Sequence, residues 1–327
     1  MFEGEVISLV VAVLWTVTAI FSEGATRRLG TLPFNLIRLA LATLLLALGM
    51  WFVVGSPLPR YTTADTWLWL SLSGLVGFVA GDICLFNSYL IIGSRFGQLL
   101  MTVAPIAAAI AGWILLGETM SATAFLAMLV VTAGIAMSVL NRGGAEGQHR
   151  LVLKLPLKGV LYGLGAGVGQ GVGLVLSKMG IQAYDQHLKA LLNDVVEGGN
   201  YAGNHWDLEA AMSYMPYAAT FIRALTGVVG FAVVLTIVRQ WPKVWKGLHD
   251  RQAMRLTMGA VVCGPTIGVS LSLLATLYTS TGVAQTLMSL TPIIILLPAW
   301  LWQHQRVTRW EVIGAIIAVA GAALFFV

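Results

Sequence analysis

Apolar runs of about 20 residues follow one another along almost the whole of this 327-residue chain. Each is long enough to cross a hydrocarbon core of about 30 Å as a helix. Ten are read, near residues 5–22, 33–54, 67–87, 96–116, 121–140, 158–180, 214–238, 256–277, 282–302 and 308–327. The pattern predicts an all-α polytopic membrane protein, because a helix satisfies its own backbone in lipid. The polar breaks are short except at 141–157, a basic linker, and at about 186–215.

The second half repeats the first. Gln98, Met101, Thr102, Pro105 and Trp113 recur 187 residues later as Gln285, Met288, Ser289, Pro292 and Trp300. Gly77, Gly81 and Gly134 recur as Gly264, Gly268 and Gly321. The first helix aligns with the sixth at an offset of 155, which leaves an insertion at 186–215 holding Asp194, Glu197, Asp207 and Glu209. It is expected to be a solvated loop. The units are then a five-helix repeat at 1–140, the linker at 141–157, and a second five-helix repeat at 158–327. Five helices per half make the repeat inverted, the organisation of secondary transporters, whose site lies at the interface of the halves.

Composition sharpens this. Only 10% of the residues are charged and mean hydropathy is +0.85, against about 25% charged in soluble domains. Fourteen lysines and arginines between Arg27 and Arg309 fall in one set of loops, while Arg60, Lys178 and Lys189 fall on the other side. The positive-inside rule puts the fourteen in the cytoplasm and both termini outside. The net charge of +5 reads as basic loops beside anionic lipid, so membrane lipid is an expected partner and nucleic acid is not. The start lacks a basic signal-peptide region, so the first run is read as a retained helix. Cys84 and Cys263 lie inside spans, and the histidines form no cluster with ligand spacing. Neither a disulfide, a metal nor a cofactor is indicated.

The repeat also separates shared scaffold from specialisation. Asp82 is the sharpest unpaired residue: it lies inside the third span, and its counterpart is Val269. A mid-span carboxylate costs roughly 2.5–3.5 kcal/mol, so it should face a cavity or a partner. It is a candidate proton carrier, or else an aspartate paired with an arginine to hold the fold. Phe86 and Tyr89, four and seven residues on, share its face. Gln98, Met101, Gln285 and Met288 form matching stripes, each ending at a proline that strips a helical partner from a methionine carbonyl. They are read as polar, kinked cavity walls or as interhelical glue. Asn87, Gln170 and Trp15 complete the candidate pathway. Arg38 and Arg223 occupy matching places and are expected to snorkel or cap helix ends, with an anion-binding role as the alternative. Alternate glycines from Gly163 to Gly173 give the sixth helix two small-residue stripes for close packing.

Met101 to Pro105, the Leu116-Gly117-Glu118-Thr119 stretch and Gly134 resemble the end of an EamA-type half of the drug/metabolite transporter superfamily. Met288 to Pro292 and on to Gly321 resembles the same segment again, though His304-Gln305 replaces its Gly-Glu pair. The resemblance implies a ten-helix carrier with a central cavity that moves a small-molecule substrate, such as an amino acid or amphipathic compound, often outward. Its expected place is the bacterial inner membrane. A lipid-carrier flippase is the alternative, then a non-transporting sensor or scaffold. An intramembrane enzyme would need converging catalytic groups at depth, and the sequence offers one clear mid-span acid and no catalytic set.

Overall fold

The computed structural model describes residues 2–140, 156–196, 205–294 and 309–326. Its regular structure among these is entirely helical. In order come α1 (Glu3–Leu29), α2 (Thr31–Val54), α3 (Ala64–Gly93), α4 (Phe96–Leu116), α5 (Ala122–Leu140) and α6 (Leu157–Val196). They are followed by α7 (His205–Ile237), α8 (Trp241–His249), α9 (Arg251–Tyr278), α10 (Thr281–Met288), α11 (Thr291–Ile294) and α12 (Arg309–Ala323). Eight segments among the described residues are long and apolar enough to cross a membrane, and α5 is a shorter apolar helix. The ninth expected span is described only as far as Ile294. His304, Gln305, Trp300 and most of the 141–157 linker lie outside the described residues.

Large apolar side chains face outward along the bundle, among them Leu44, Phe52, Ile114, Val233 and Ile316. Trp51, Trp113, Trp241, Trp245 and Trp310 are exposed as well. An outward apolar coat of this kind suits lipid rather than water.

The expected loop at 186–215 is corrected at both of its ends, while residues 197–204 lie outside the described residues. Residues 186–196 continue α6 and 205–215 open α7, so both helices are far longer than a span needs. Charge and glycine suggested a loop, but the flanking sequence has its own apolar face. Tyr184 and Leu188 of α6 pack in one buried cluster with Leu208, Ala211 and Met215 of α7. On the exposed side Lys189 pairs with Asp185 one turn earlier, at 2.6 Å. Burial of that shared face holds the two extensions together.

Glycine decides how α6 sits. A Cβ at Gly169 would meet Gly81 Cα at 3.0 Å, and one at Gly173 would meet Gly77 Cα at 3.0 Å, both on α3. On the other stripe a Cβ at Gly171 would lie 2.4 Å from the Ala104 carbonyl oxygen of α4, and one at Gly167 would lie 3.1 Å from that of Leu100. The two stripes therefore wedge α6 between α3 and α4 at backbone contact, where small residues let helices approach most closely. Gly171→Leu is expected to destabilise the bundle by about 3 kcal/mol or more, since backbone rather than a side chain must yield. Gly165→Ala, which meets only the Cys84 sulfur at 3.2 Å, should change stability by less than about 1 kcal/mol. Thermal unfolding in detergent compares the two, and equal stability of both variants would refute the wedge. In the same way Gly134 of α5 and Gly314 of α12 lie against each other's helix backbone.

Two stretches leave α geometry. Gly74–Gly81 in α3 and Val262–Gly268 in α9 are π-helical, and Asp82 and Val269 are the residues that follow them. Such segments widen the helix, leave backbone groups to be satisfied from outside it, and are frequent at functional sites. Here Gln170 of α6 donates to the Gly77 carbonyl at 3.3 Å.

Candidate functional site

Six helices enclose a cavity beside the first π segment. Trp15 and Ser22 of α1, Arg38 of α2, Phe78, Asp82, Phe86 and Tyr89 of α3, Gln98 and Met101 of α4, Gln170 of α6 and Pro265 of α9 are in its wall. The space open to the centre of a water molecule is about 80 Å³, which is room for several waters. Seven of the ten residues expected on the pathway meet here: Asp82, Phe86, Tyr89, Gln98, Met101, Trp15 and Gln170.

Asp82 is 3% exposed and Arg38 is 5% exposed, so neither has water as its main partner. Arg38 Nη2 donates to Asp82 Oδ2 and, at 3.0 Å, to Asn35 Oδ1 one turn back on α2. Gln170 Nε2 donates to the other carboxylate oxygen of Asp82 at 3.1 Å. Phe34 and Phe86 pack edge to face at 5.1 Å, and the Arg38 guanidinium lies 5.2 Å from the Phe86 ring centroid and 5.7 Å from that of Phe34. Aromatic faces are favourable neighbours for a desolvated guanidinium.

The expectation for the arginines is corrected by this geometry. Arg38 does not snorkel toward a helix end. It turns inward because α2 brings it level with the carboxylate, and a buried charge is retained only when paired. Arg223 of α7 is likewise buried, 3% exposed, with its guanidinium 4.7 Å from the Phe78 ring centroid. Arg38 thus pairs directly with a carboxylate that has no counterpart in the second half, and Arg223 acts on it electrostatically without a direct bond. Repetition favours an architectural reading of Arg38, whereas an unpaired acid that needs a basic partner, the other expectation for Asp82, is what the geometry fits.

Tyr89 is buried and accepts a hydrogen bond from Gln98 Nε2. Its ring meets Phe86 edge to face at 5.5 Å. Near Gln98, α4 is interrupted at Met101-Thr102, and the Met101 carbonyl released by Pro105 accepts from Ala104 N at 2.8 Å. In the second copy Thr291 Oγ1 fills the same need, donating to the Met288 carbonyl at 3.0 Å. The kinks are therefore satisfied by protein groups.

Gln285, Met288 and Asn87 are placed elsewhere. Gln285 is 2% exposed within α10, and Met288 packs with Val11, Ala275 and Ala284. Asn87 faces the start of α2, accepting from Thr31 Oγ1 at 3.4 Å and donating to the Ile83 carbonyl at 2.7 Å. The repeat placed Gln98 and Gln285 on equivalent stripes, but only the first copy lines this cavity.

A second polar cluster closes the end of the bundle that holds the start of α1. Lys178 Nζ of α6 lies 2.6 Å from Glu118 Oε1, just past α4, and donates to the Thr279 carbonyl at 2.9 Å. Glu118 Oε2 accepts from Thr281 Oγ1 at 2.6 Å and from Thr281 N at 3.0 Å. Thr279 Oγ1 donates to Glu5 at 2.8 Å. Five helices are laced together at that end. The cavity lies on its far side, lined by the first turns of α4 and the later half of α3. At the opposite end Arg28 reaches Gln252 at 2.5 Å and Asp250 at 3.4 Å.

A bundle of apolar helices around a small, charge-bearing cavity, tied at one end, has the organisation of a membrane carrier. The family model of the EamA-like transporter family matches residues 3–140 and 209–327. The chain belongs to that family, and with it to the drug/metabolite transporter superfamily. A crystal structure described only as that of a protein is similar at 14% identity, with a TM-score of 0.64, covering 98% of this chain and 96% of that one; the likeness shows a shared fold. No curated protein matches.

Proposed function

We propose that the chain is a secondary carrier that moves a small metabolite across the membrane by alternating access around the Asp82–Arg38 cavity. The observation that carries this reading is the buried Asp82–Arg38 pair in the cavity wall, on two apolar helices long enough to span, because a repeat carrier holds its substrate site between such helices. The π segments support the repeat, since Gly74–Gly81 and Val262–Gly268 stand in its 187-residue register. On this reading ten helices form two inverted halves, 1–140 and 158–327, joined by the basic linker at 141–157. The Lys/Arg balance puts both termini outside. The Glu118–Lys178 cluster is then the outer closure and the cavity belongs to the cytoplasmic half. Membership of the family supports, on this proposed reading, outward movement of amino acids or amphipathic compounds across a bacterial inner membrane, with Asp82 carrying a proton in exchange.

The flippase alternative wants basic residues beside an opening toward lipid. A crevice of about 610 Å³ lies between the extended parts of α6, α7 and α9, but Lys189 in its wall is already paired with Asp185 at 2.6 Å. A soluble substrate is the better reading.

The test is a substrate-panel flux assay in proteoliposomes, with and without a pH gradient, on wild type and Asp82→Asn. Gradient-driven accumulation should fall at least tenfold in the variant while substrate counterflow persists. Coupling that survives the substitution would remove Asp82 from the proton pathway.

A further inference from the structure

Resting on the carrier reading, the geometry points to a carboxylate as the group that the cavity selects, with Arg38 as its anchor. Three charged side chains surround the first π segment: Arg38, Arg223 and Asp82. Arg38 and Asp82 are in the cavity wall. The Arg223 guanidinium stacks on Phe78, which is in the same wall, and a Cβ at Gly77 would meet its Nη2 at 3.3 Å. All three are at most 5% exposed. Two guanidiniums and one carboxylate leave an excess positive charge in a region walled mostly by apolar groups. Glu23, just past Ser22 on α1, is already engaged by Arg27 at 2.9 Å.

The donor inventory agrees. A guanidinium has five N–H donors and no acceptor. Both hydrogen bonds that hold Arg38 to Asp82 and Asn35 run through Nη2. Arg38 Nε and Arg223 Nε are buried with no acceptor among the described residues. A planar fork with unused donors is the group best matched to a second carboxylate. Arg38 can therefore serve Asp82 and a ligand together, and the arriving anion would balance the two arginines with two acids. Trp15, Phe86 and Tyr89 offer apolar surface to the rest of the molecule. The ligand class is a small monocarboxylate with an apolar or aromatic body. Organic cations, which an isolated mid-membrane aspartate would attract, are disfavoured.

The experiment uses the full chain with matched pairs: phenylalanine and phenylalaninamide, leucine and leucinamide, indole-3-acetate and indole-3-acetamide, with tetraphenylphosphonium as a cation. Ligand-induced thermal stabilisation in detergent and counterflow in proteoliposomes are both read. The acids should half-saturate at concentrations at least tenfold below their amides. Arg38→Lys, which keeps the charge but loses the fork, should weaken acid binding at least tenfold. The double variant Arg38→Gln/Asp82→Asn, which removes the buried pair together and so guards against misfolding, should abolish the preference for acids over amides. Equal binding of acid and amide, or undiminished acid binding by Arg38→Lys, would overturn the carboxylate assignment. Flux of the cation alone would overturn it too while leaving the carrier reading standing. No binding or flux with any member would remove both.

Discussion

Asp82→Ala is expected to cost about 3–5 kcal/mol of stability, because it strands a buried guanidinium without its counter-ion. The cost falls on Arg38 first, which is 5% exposed and bonded to Asp82 through Nη2. Gln170 loses its carboxylate acceptor as well. Arg223 loses a carboxylate with which it interacts electrostatically. In thermal unfolding in detergent the variant should melt roughly 5–10 °C below wild type. The comparison that identifies the cause is Asp82→Leu/Arg38→Met. Replacing both members of a buried pair by apolar groups is often neutral or stabilising, so the double variant should recover most of the loss, with the residue due to Arg223. If it melts no higher than the single variant, the charge pair is not what holds α2 to α3.

The second large effect is conformational. Glu118→Gln keeps the shape of the side chain but removes the charge that receives Lys178 and Thr281. Hydrogen bonds to charged groups contribute about 1.5–3 kcal/mol, and loss of one or two biases the closed state by roughly ten- to a hundredfold. Ser8 of α1 is fully buried one turn past Gly4, whose carbonyl it bonds at 2.7 Å. In a Cys84→Ser/Cys263→Ser background, Ser8→Cys should react with a membrane-impermeant thiol reagent at least tenfold faster when Glu118→Gln is added. Unchanged reactivity would mean that the five-helix lacing is not a gate.

The same carboxyl fixes a pH window. Burial pushes the Glu118 carboxyl up, but hydrogen bonds from Lys178 and Thr281 and the charge of Lys178 more than offset that and hold it below the usual carboxylate range. A folded-state value lowered in this way contributes fully above the unfolded value of about 4.3 and is lost as pH falls below it. Between pH 5 and 8, Ser8→Cys reactivity, normalised to an exposed cysteine, should therefore stay flat. A pH response of transport in that range belongs to another group.

Much of this site was legible in the sequence because membranes make polar residues expensive. Asp82 stood out as a carboxylate without a repeat partner, and helical spacing alone put Phe86 and Tyr89 on its face. Periodicity does not say what a face meets. Gln285 and Met288 share the stripe of Gln98 and Met101, yet Met288 packs against Val11 and Ala284 while Met101 lines the cavity. Arg38 was named in the sequence, but which arginine would partner Asp82 was not legible, for a different reason. A duplicated residue was assigned to shared architecture, whereas here a duplicated arginine acquires a new partner when one half gains an acid. The 186–215 insertion misled because Asp194 and Glu209 lie on the exposed side of its helical ends, while Leu188, Leu208 and Ala211 describe the face that folds.

That extension has a mechanical consequence. The 40 residues of α6 make a rod of about 60 Å, roughly twice the thickness of the hydrocarbon it crosses. Its glycine-faced part is gripped beside the cavity, and Tyr184 tethers its upper shaft to the Arg60 carbonyl at 2.5 Å. A small tilt at the glycine grip is thus magnified at the tip, as at the end of a lever. Spin labels at Asn193 and at Glu3 at the start of α1 would report subtle rearrangements around Asp82 as large, easily resolved distance changes in water.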